Sequence, residues 1–160
     1  GIDMDLTLDV GEYKLNIRGA VVINHNGKIL VHRNIDKGHC ALIGGRVEIG
    51  ESSEETVKRE VMEELGKEIE VTGYVATVEN FFEMKGSKYH EILFIHSGEF
   101  VNEADKKIEH TLKNLYGKDY LQYEWLEIDK IEEYPLLPQI VKKVLKEKNF
   151  PVHRINNDLN

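Results

Sequence analysis

The chain has little cysteine, little proline and few positive charges: one Cys, three Pro, and 21 Lys and Arg against 29 Asp and Glu in 160 residues, for a net charge of −8. A lone thiol, Cys40, cannot close an internal disulfide. That points to a reducing compartment and a cytoplasmic protein, with Cys40 itself a small buried hydrophobe. No apolar run approaches the ~18 residues of a membrane span, and no basic start with an apolar middle marks a secretory signal. The acidic balance argues against nonspecific binding to nucleic acid or anionic membrane, which needs basic patches. It leaves a phosphorylated substrate open, because a bound metal can supply the positive charge. The histidines lack zinc-ligand spacing, and there is no nucleophile elbow, Gly-Lys-Ser/Thr phosphate loop or dinucleotide fingerprint.

What is present suits one domain with a real core. The domain is expected over residues 4–148, starting at Met4, with 149–160 a loose tail. Arg18–Ile23 and Lys28–Arg33 read as strands around Asn26-Gly27, a pair that tolerates the positive φ of a tight hairpin. Cys40–Ile43 is a short apolar segment ending in Gly44-Gly45. Ser52 with Glu55 has capping-box spacing, Val57, Val61 and Leu65 form an apolar stripe, and Gly66 suits a left-handed cap. Together they predict a helix over Ser53–Leu65. Further strands are expected at Ile69–Tyr74, Val75–Phe82, Tyr89–His96 and Tyr120–Leu126, a loop with short helical turns at Asn102–Lys118, and a helix at Leu137–Lys148. The fold class is therefore α/β: a mixed sheet with a helix on each face to bury both stripes.

The first helix carries Glu60, Glu63 and Glu64 beside its apolar stripe. Glu60 and Glu64 are like charges four apart, and all three lie in the half where the helix dipole favours cations. A solvated charged face is the plain explanation. A hard divalent cation is the other, since Mg²⁺ takes oxygen ligands and bridges carboxylates to phosphates.

The surrounding spacing, Gly45-x5-Glu51-x7-Arg59-Glu60-Val61-x-Glu63-Glu64-x-Gly66, resembles the Nudix box, G-x5-E-x7-R-E-U-x-E-E-x-G-U with U aliphatic. Eight of its nine specified positions match, and Lys67 stands at the last aliphatic one. Ile43 replaces the proline that many members carry before the Gly-Gly pair. The resemblance implies an α/β/α sandwich with the box as loop–helix–loop. It implies a hydrolase that uses Mg²⁺ or Mn²⁺ to cleave the pyrophosphate of a nucleoside diphosphate linked to another group. Glu60, Glu63, Glu64 and the Gly44 carbonyl would then hold metal, and Glu63 or Glu60 would act as base. Glu91, Glu103 and Asp105 are further candidates for the base. Glu51 and Arg59 would brace the loop, leaving Arg59 unable to compete as a counter-ion, while Gly45 and Gly66 would serve backbone turns.

Substrate specificity is expected outside the box. Phe81 and Phe82 are consecutive, so one faces inward and the other away; either could pack in the core or stack on a base. With Glu91 they are the substrate-binding candidates. The expected partner is a small nucleotide or nucleotide sugar, with an RNA 5′ end the one nucleic acid allowed and a homodimer open. A noncatalytic nucleotide-sensing module is the alternative, although such modules are expected to lose box carboxylates.

Overall fold

The computed structural model describes residues 4–107, the backbone of 112–113, and residues 121–159. Among these, the chain runs β1 (Thr7–Val10), β2 (Tyr13–His25), β3 (Lys28–Asn34), β4 (Cys40–Arg46), α1 (Ser53–Leu65), β5 (Ile69–Met84), β6 (Ser87–Phe100), β7 (Leu112–Lys113), β8 (Leu121–Glu127), α2 (Ile140–Glu147) and β9 (Val152–Asn157). Short 3-10 turns occupy Glu103–Lys107 and Ile128–Glu133. The strands join in one sheet ordered β7-β8-β3-β4-β2-β6-β5-β9, with β1 along the start of β2. The sheet is mixed: β2 is parallel to β6 and antiparallel to β4, while β9 is parallel to β5.

Alternation along the strands splits the core into two layers. Val21, Ile23, Leu30 and Ile43 point to one face, where Val57, Val61 and Leu65 of α1 cover them. Ala20, Val22, Ile29 and Val31 point to the other, where Val141, Val144 and Leu145 of α2 pack. One helix per face is the expected sandwich. The hairpin after β2 turns through Asn26 and Gly27 at φ 52° and 74°, the twin positive φ such a turn requires.

Three expectations need correction, and one strand is new. The segments Ile69–Tyr74 and Val75–Phe82 are one strand, β5, whose register against β6 shifts between Val71 and Gly73 and again between Tyr74 and Ala76. An extra residue at a bulge breaks the period of two and imitates a boundary. The second helix begins at Ile140, not Leu137, because a residue before proline, here Leu137 before Pro138, is turned away from helical geometry. The expected loose tail holds a strand: Val152–Asn157 pairs with Ala76–Phe81. β1, unforeseen, pairs Thr7–Val10 with Tyr13–Asn16. The expected loop over Asn102–Lys118 begins with the 3-10 turn, and much of its remainder lies outside the described residues.

Candidate active site

The box folds as strand, loop and helix, and each part has a local cause. The Ser52 hydroxyl accepts from Glu55 N at 3.1 Å while the Glu55 carboxylate accepts from Ser52 N at 3.3 Å, so the capping box is closed at both ends. Gly66 ends α1 at φ 66° and its N–H donates to the Met62 carbonyl. The last turn holds no basic residue, so no cation there offsets the dipole at its end.

Glu51 and Arg59 brace the loop against the helix as expected. Arg59 Nε donates to Glu51 Oε2 at 2.7 Å and Nη2 donates to Oε1 at 2.9 Å. Thr56 Oγ1 and Glu48 N also donate to Oε1. These donors hold the Glu51 carboxyl down at about 2, since bonds to the charged form favour it.

Arg59 does more than expected. Its Nη1 donates to Glu60 Oε1 at 2.8 Å and to Glu63 Oε2 at 3.1 Å. It is a counter-ion to two box glutamates, because a planar guanidinium fixed at one edge by Glu51 presents its other edge to the next turn of the helix. Gly45 also differs from expectation. It lies inside β4, paired with Gly19, and serves no turn. A Cβ built there would overlap the Glu60 carboxyl group, so the missing side chain makes the room Glu60 occupies. Gly44 pairs with Ala20 in the same strand, and a Cβ there would run into the Gly19 carbonyl.

The three glutamates differ in setting. Side-chain exposure is 34% for Glu63, 16% for Glu60 and 10% for Glu64. Burial first, then the neighbouring Glu64 charge, pushes Glu60 up to about 7. Glu64 Oε1 accepts from the Tyr123 hydroxyl at 3.1 Å. Its Oε2 is buried without a hydrogen-bond partner, as is His32 Nδ1, which stands 3.6 Å from Oε1. An orphaned carboxylate oxygen beside a second crowded carboxylate is what a cation would relieve. The residues therefore fit a divalent metal in charge and chemistry. As placed, no three acidic, His or Cys groups among the described residues converge into a ready ligand cage, and Glu60 and Glu63 meet through Arg59 instead.

A cleft of about 510 Å³ opens on the α2 face of the sheet. It adjoins the box through two residues: His32, which lines it and faces Glu64, and Arg46, which lines it and whose carbonyl accepts from Arg59 Nη2. The substrate candidates divide around it. Phe82 lines the cleft, stacked on Tyr89 with centroids 4.8 Å apart and planes 6° from parallel. Phe81 turns to the opposite face beside His90. Glu91 lies in the cleft floor, bonded by Asn16 and Asn80. The other base candidates are engaged elsewhere: Asp105 accepts from Lys67 at 2.9 Å and Glu103 from Lys106 at 2.7 Å. Sequence reasoning missed Tyr123, His32, Asn16, Asn80, Arg18 and Arg46. Each reaches the site through strand pairing across the sheet, which leaves no local spacing to read.

Comparison with known proteins agrees with this geometry. The NUDIX domain family profile matches residues 14–147. The nucleoside triphosphatase NudI of Enterobacter sp. (strain 638) is 41% identical over 56 residues, 32% of this chain and 40% of that protein; the chain thus matches under half the length of that relative. Among solved structures, a NUDIX hydrolase from Nitrosomonas europaea superposes with a TM-score of 0.59 at 23% identity, over 84% of this chain and 88% of that one. A MutT protein from Bacillus halodurans gives 0.61 at 22%, over 91% and 93%. These two share the fold. The chain belongs to the NUDIX family.

Proposed function

We propose that this chain is a divalent-metal-dependent hydrolase that splits the pyrophosphate linkage of a nucleoside diphosphate joined to another group, with nucleoside triphosphates the first substrates to try. One observation carries the reading: α1 holds Glu60 and Glu64 crowded together, one with its carboxyl in the space a side chain at Gly45 would fill and the other with a buried oxygen unpartnered. A solvated charged face would require neither. The local match to a protein named as a nucleoside triphosphatase supports the choice of substrate.

Mg²⁺ or Mn²⁺ held by Glu60, Glu63 and Glu64 with the Gly44 carbonyl would supply positive charge to the phosphates and acidify water. Glu63, the most exposed of the three, takes the proton from the attacking water. Arg59, anchored by Glu51, turns Nη1 toward the carboxylates and sets their spacing. The cleft receives the nucleoside, with Phe82 as an aromatic wall. Cys40, a free thiol buried and pushed up to about 11, is compatible with a reducing, cytoplasmic setting.

The test is product analysis. Purified protein with Mg²⁺ or Mn²⁺ meets nucleoside triphosphates, ADP-ribose, diadenosine polyphosphates and triphosphorylated RNA, beside the variant Glu63→Gln/Glu64→Gln. Metal-dependent cleavage at a pyrophosphate bond, reduced at least about 10³-fold in the variant, is expected. No turnover on any substrate, with metal affinity equal in parent and variant, would replace this reading with a noncatalytic nucleotide-sensing module.

A further inference from the structure

One row of side chains crosses the sheet at the floor of the cleft. Strand register sets Thr7 beside Asn16, Asn16 beside Glu91, Glu91 beside Asn80 and Asn80 beside Asn156. One residue each from β1, β2, β6, β5 and β9 thus stands on a single line. Thr7 Oγ1 donates to Asn16 Oδ1 at 2.7 Å, and Asn16 Nδ2 donates to Glu91 Oε1 at 2.7 Å. From the other side, Asn156 Nδ2 donates to Asn80 Oδ1 at 2.9 Å, and Asn80 Nδ2 donates to Glu91 Oε2 at 3.0 Å. Every bond in the row points toward Glu91.

The row is costly to build. Asn16, Glu91, Asn80 and Asn156 are 4–9% exposed, and buried polar groups destabilise unless each is bonded. Two residues further along the same strands, the next row sets buried Leu93 and Val78 between Arg18 and Arg154. What the polar row adds is one carboxylate held in a fixed orientation, with two polarised amide chains converging on it.

A carboxylate oxygen accepts two hydrogen bonds, and each Glu91 oxygen receives one from the row. Arg18 Nε, at 3.9 Å from Oε1, is beyond hydrogen-bond range. One acceptor position therefore remains on each oxygen, side by side. Their complement is a pair of adjacent, coplanar N–H donors. Of the common nucleobases, guanine alone offers that, in its N1–H and N2–H2. Adenine and cytosine present one amino donor beside an acceptor, and uracil a single N–H between carbonyls.

The neighbouring rows orient such a ligand. On one side lie Phe82 and Tyr89, aromatic and paired in register. On the other lie Arg18 and Arg46, also paired, followed by Gly19 and Gly45 where Glu60 is seated. Three residues of strand, about 10 Å, separate Asn16 from Gly19, and the odd step turns the glycine pair to the α1 face of the sheet. Arg46, which lines the cleft and whose carbonyl accepts from Arg59, marks where the cleft joins the box.

We propose that Glu91 is the specificity-determining residue of the cleft and selects a guanine base by accepting from N1–H and N2–H2. This rests on the chain being a nucleotide pyrophosphohydrolase, yet it is testable without turnover. Calorimetry on the wild-type protein in EDTA would measure GMP, IMP, AMP and UMP, IMP differing from GMP by the lost 2-amino group alone. GMP is expected to bind about tenfold or more tightly than IMP, and AMP and UMP more weakly than either. Glu91→Gln, whose amide sets a donor against an asparagine donor, should bring GMP down to the level of AMP. Equal binding of all four, preference for AMP or UMP, or an unchanged ranking in the variant would overturn the assignment. Should the variant not fold, the GMP-to-IMP ratio on the intact protein decides alone. Discrimination without hydrolysis would sink the proposed chemistry and leave this inference standing.

Discussion

Arg59 holds glutamates whose carboxyls move in opposite directions. Glu51 sits near 2, below its ordinary 4.5, and Glu60 near 7, above it. By linkage, the stability from Glu51 is fully present above about 4.5 and is lost as pH falls toward 2. The Glu60 charge works the other way: ionising it destabilises the fold increasingly as pH rises from about 4.5 to 7. In metal-free protein, Glu51→Gln should therefore lower the melting temperature at pH 7 and have little effect near pH 2. Glu60→Gln should gain on wild type as pH climbs from 4.5 to 7. Parallel melts of both variants from pH 2 to 7 check the pair, and slopes of the same sign, each in its own window, would refute it. Mg²⁺ should erase the gain for Glu60→Gln by stabilising the wild-type carboxylate.

At the scale of elements, α1 and β4 meet where the Glu60 carboxyl lies over Gly45. Gly45→Ala forces its new methyl into the Glu60 carboxyl, and displacement of a carboxylate at the proposed metal site by about 1 Å can cost on the order of 10²-fold in rate. Turnover should fall by that order while the melting temperature moves little, because the Glu60 side chain can swing outward. Ser52→Ala would give the reverse pattern, about 0.5–2 kcal/mol of stability lost with the capping bonds and catalysis largely kept. Measuring rate and melting temperature on both variants separates site from scaffold. The bounds of α1 were legible in the sequence because cap, stripe and terminal glycine are all local signals. The function of Gly45 was not: the same absence of a side chain permits a turn or a close approach, and only the packed helix distinguishes them.

The whole molecule is closed at one edge by β9, which covers β5 and delivers Asn156 to the polar row. A chain ending at Lys148 should melt lower, aggregate through the bared edge of β5 and lose base discrimination; thermal melts and light scattering would show it, and unchanged behaviour would return 149–160 to a loose tail. The two-layer core and the carboxylate helix were readable from period and motif. Asn16, Asn80 and Asn156 were not, because each is an ordinary polar residue until register lines it up with strands far away in sequence. The polar row also has a history in time. Glu91 leaves the ribosome 65 residues before Asn156, an interval of about 3 to 13 seconds at ordinary translation rates. Through that interval the nascent protein carries an incomplete polar row and a β5 edge not yet covered by β9.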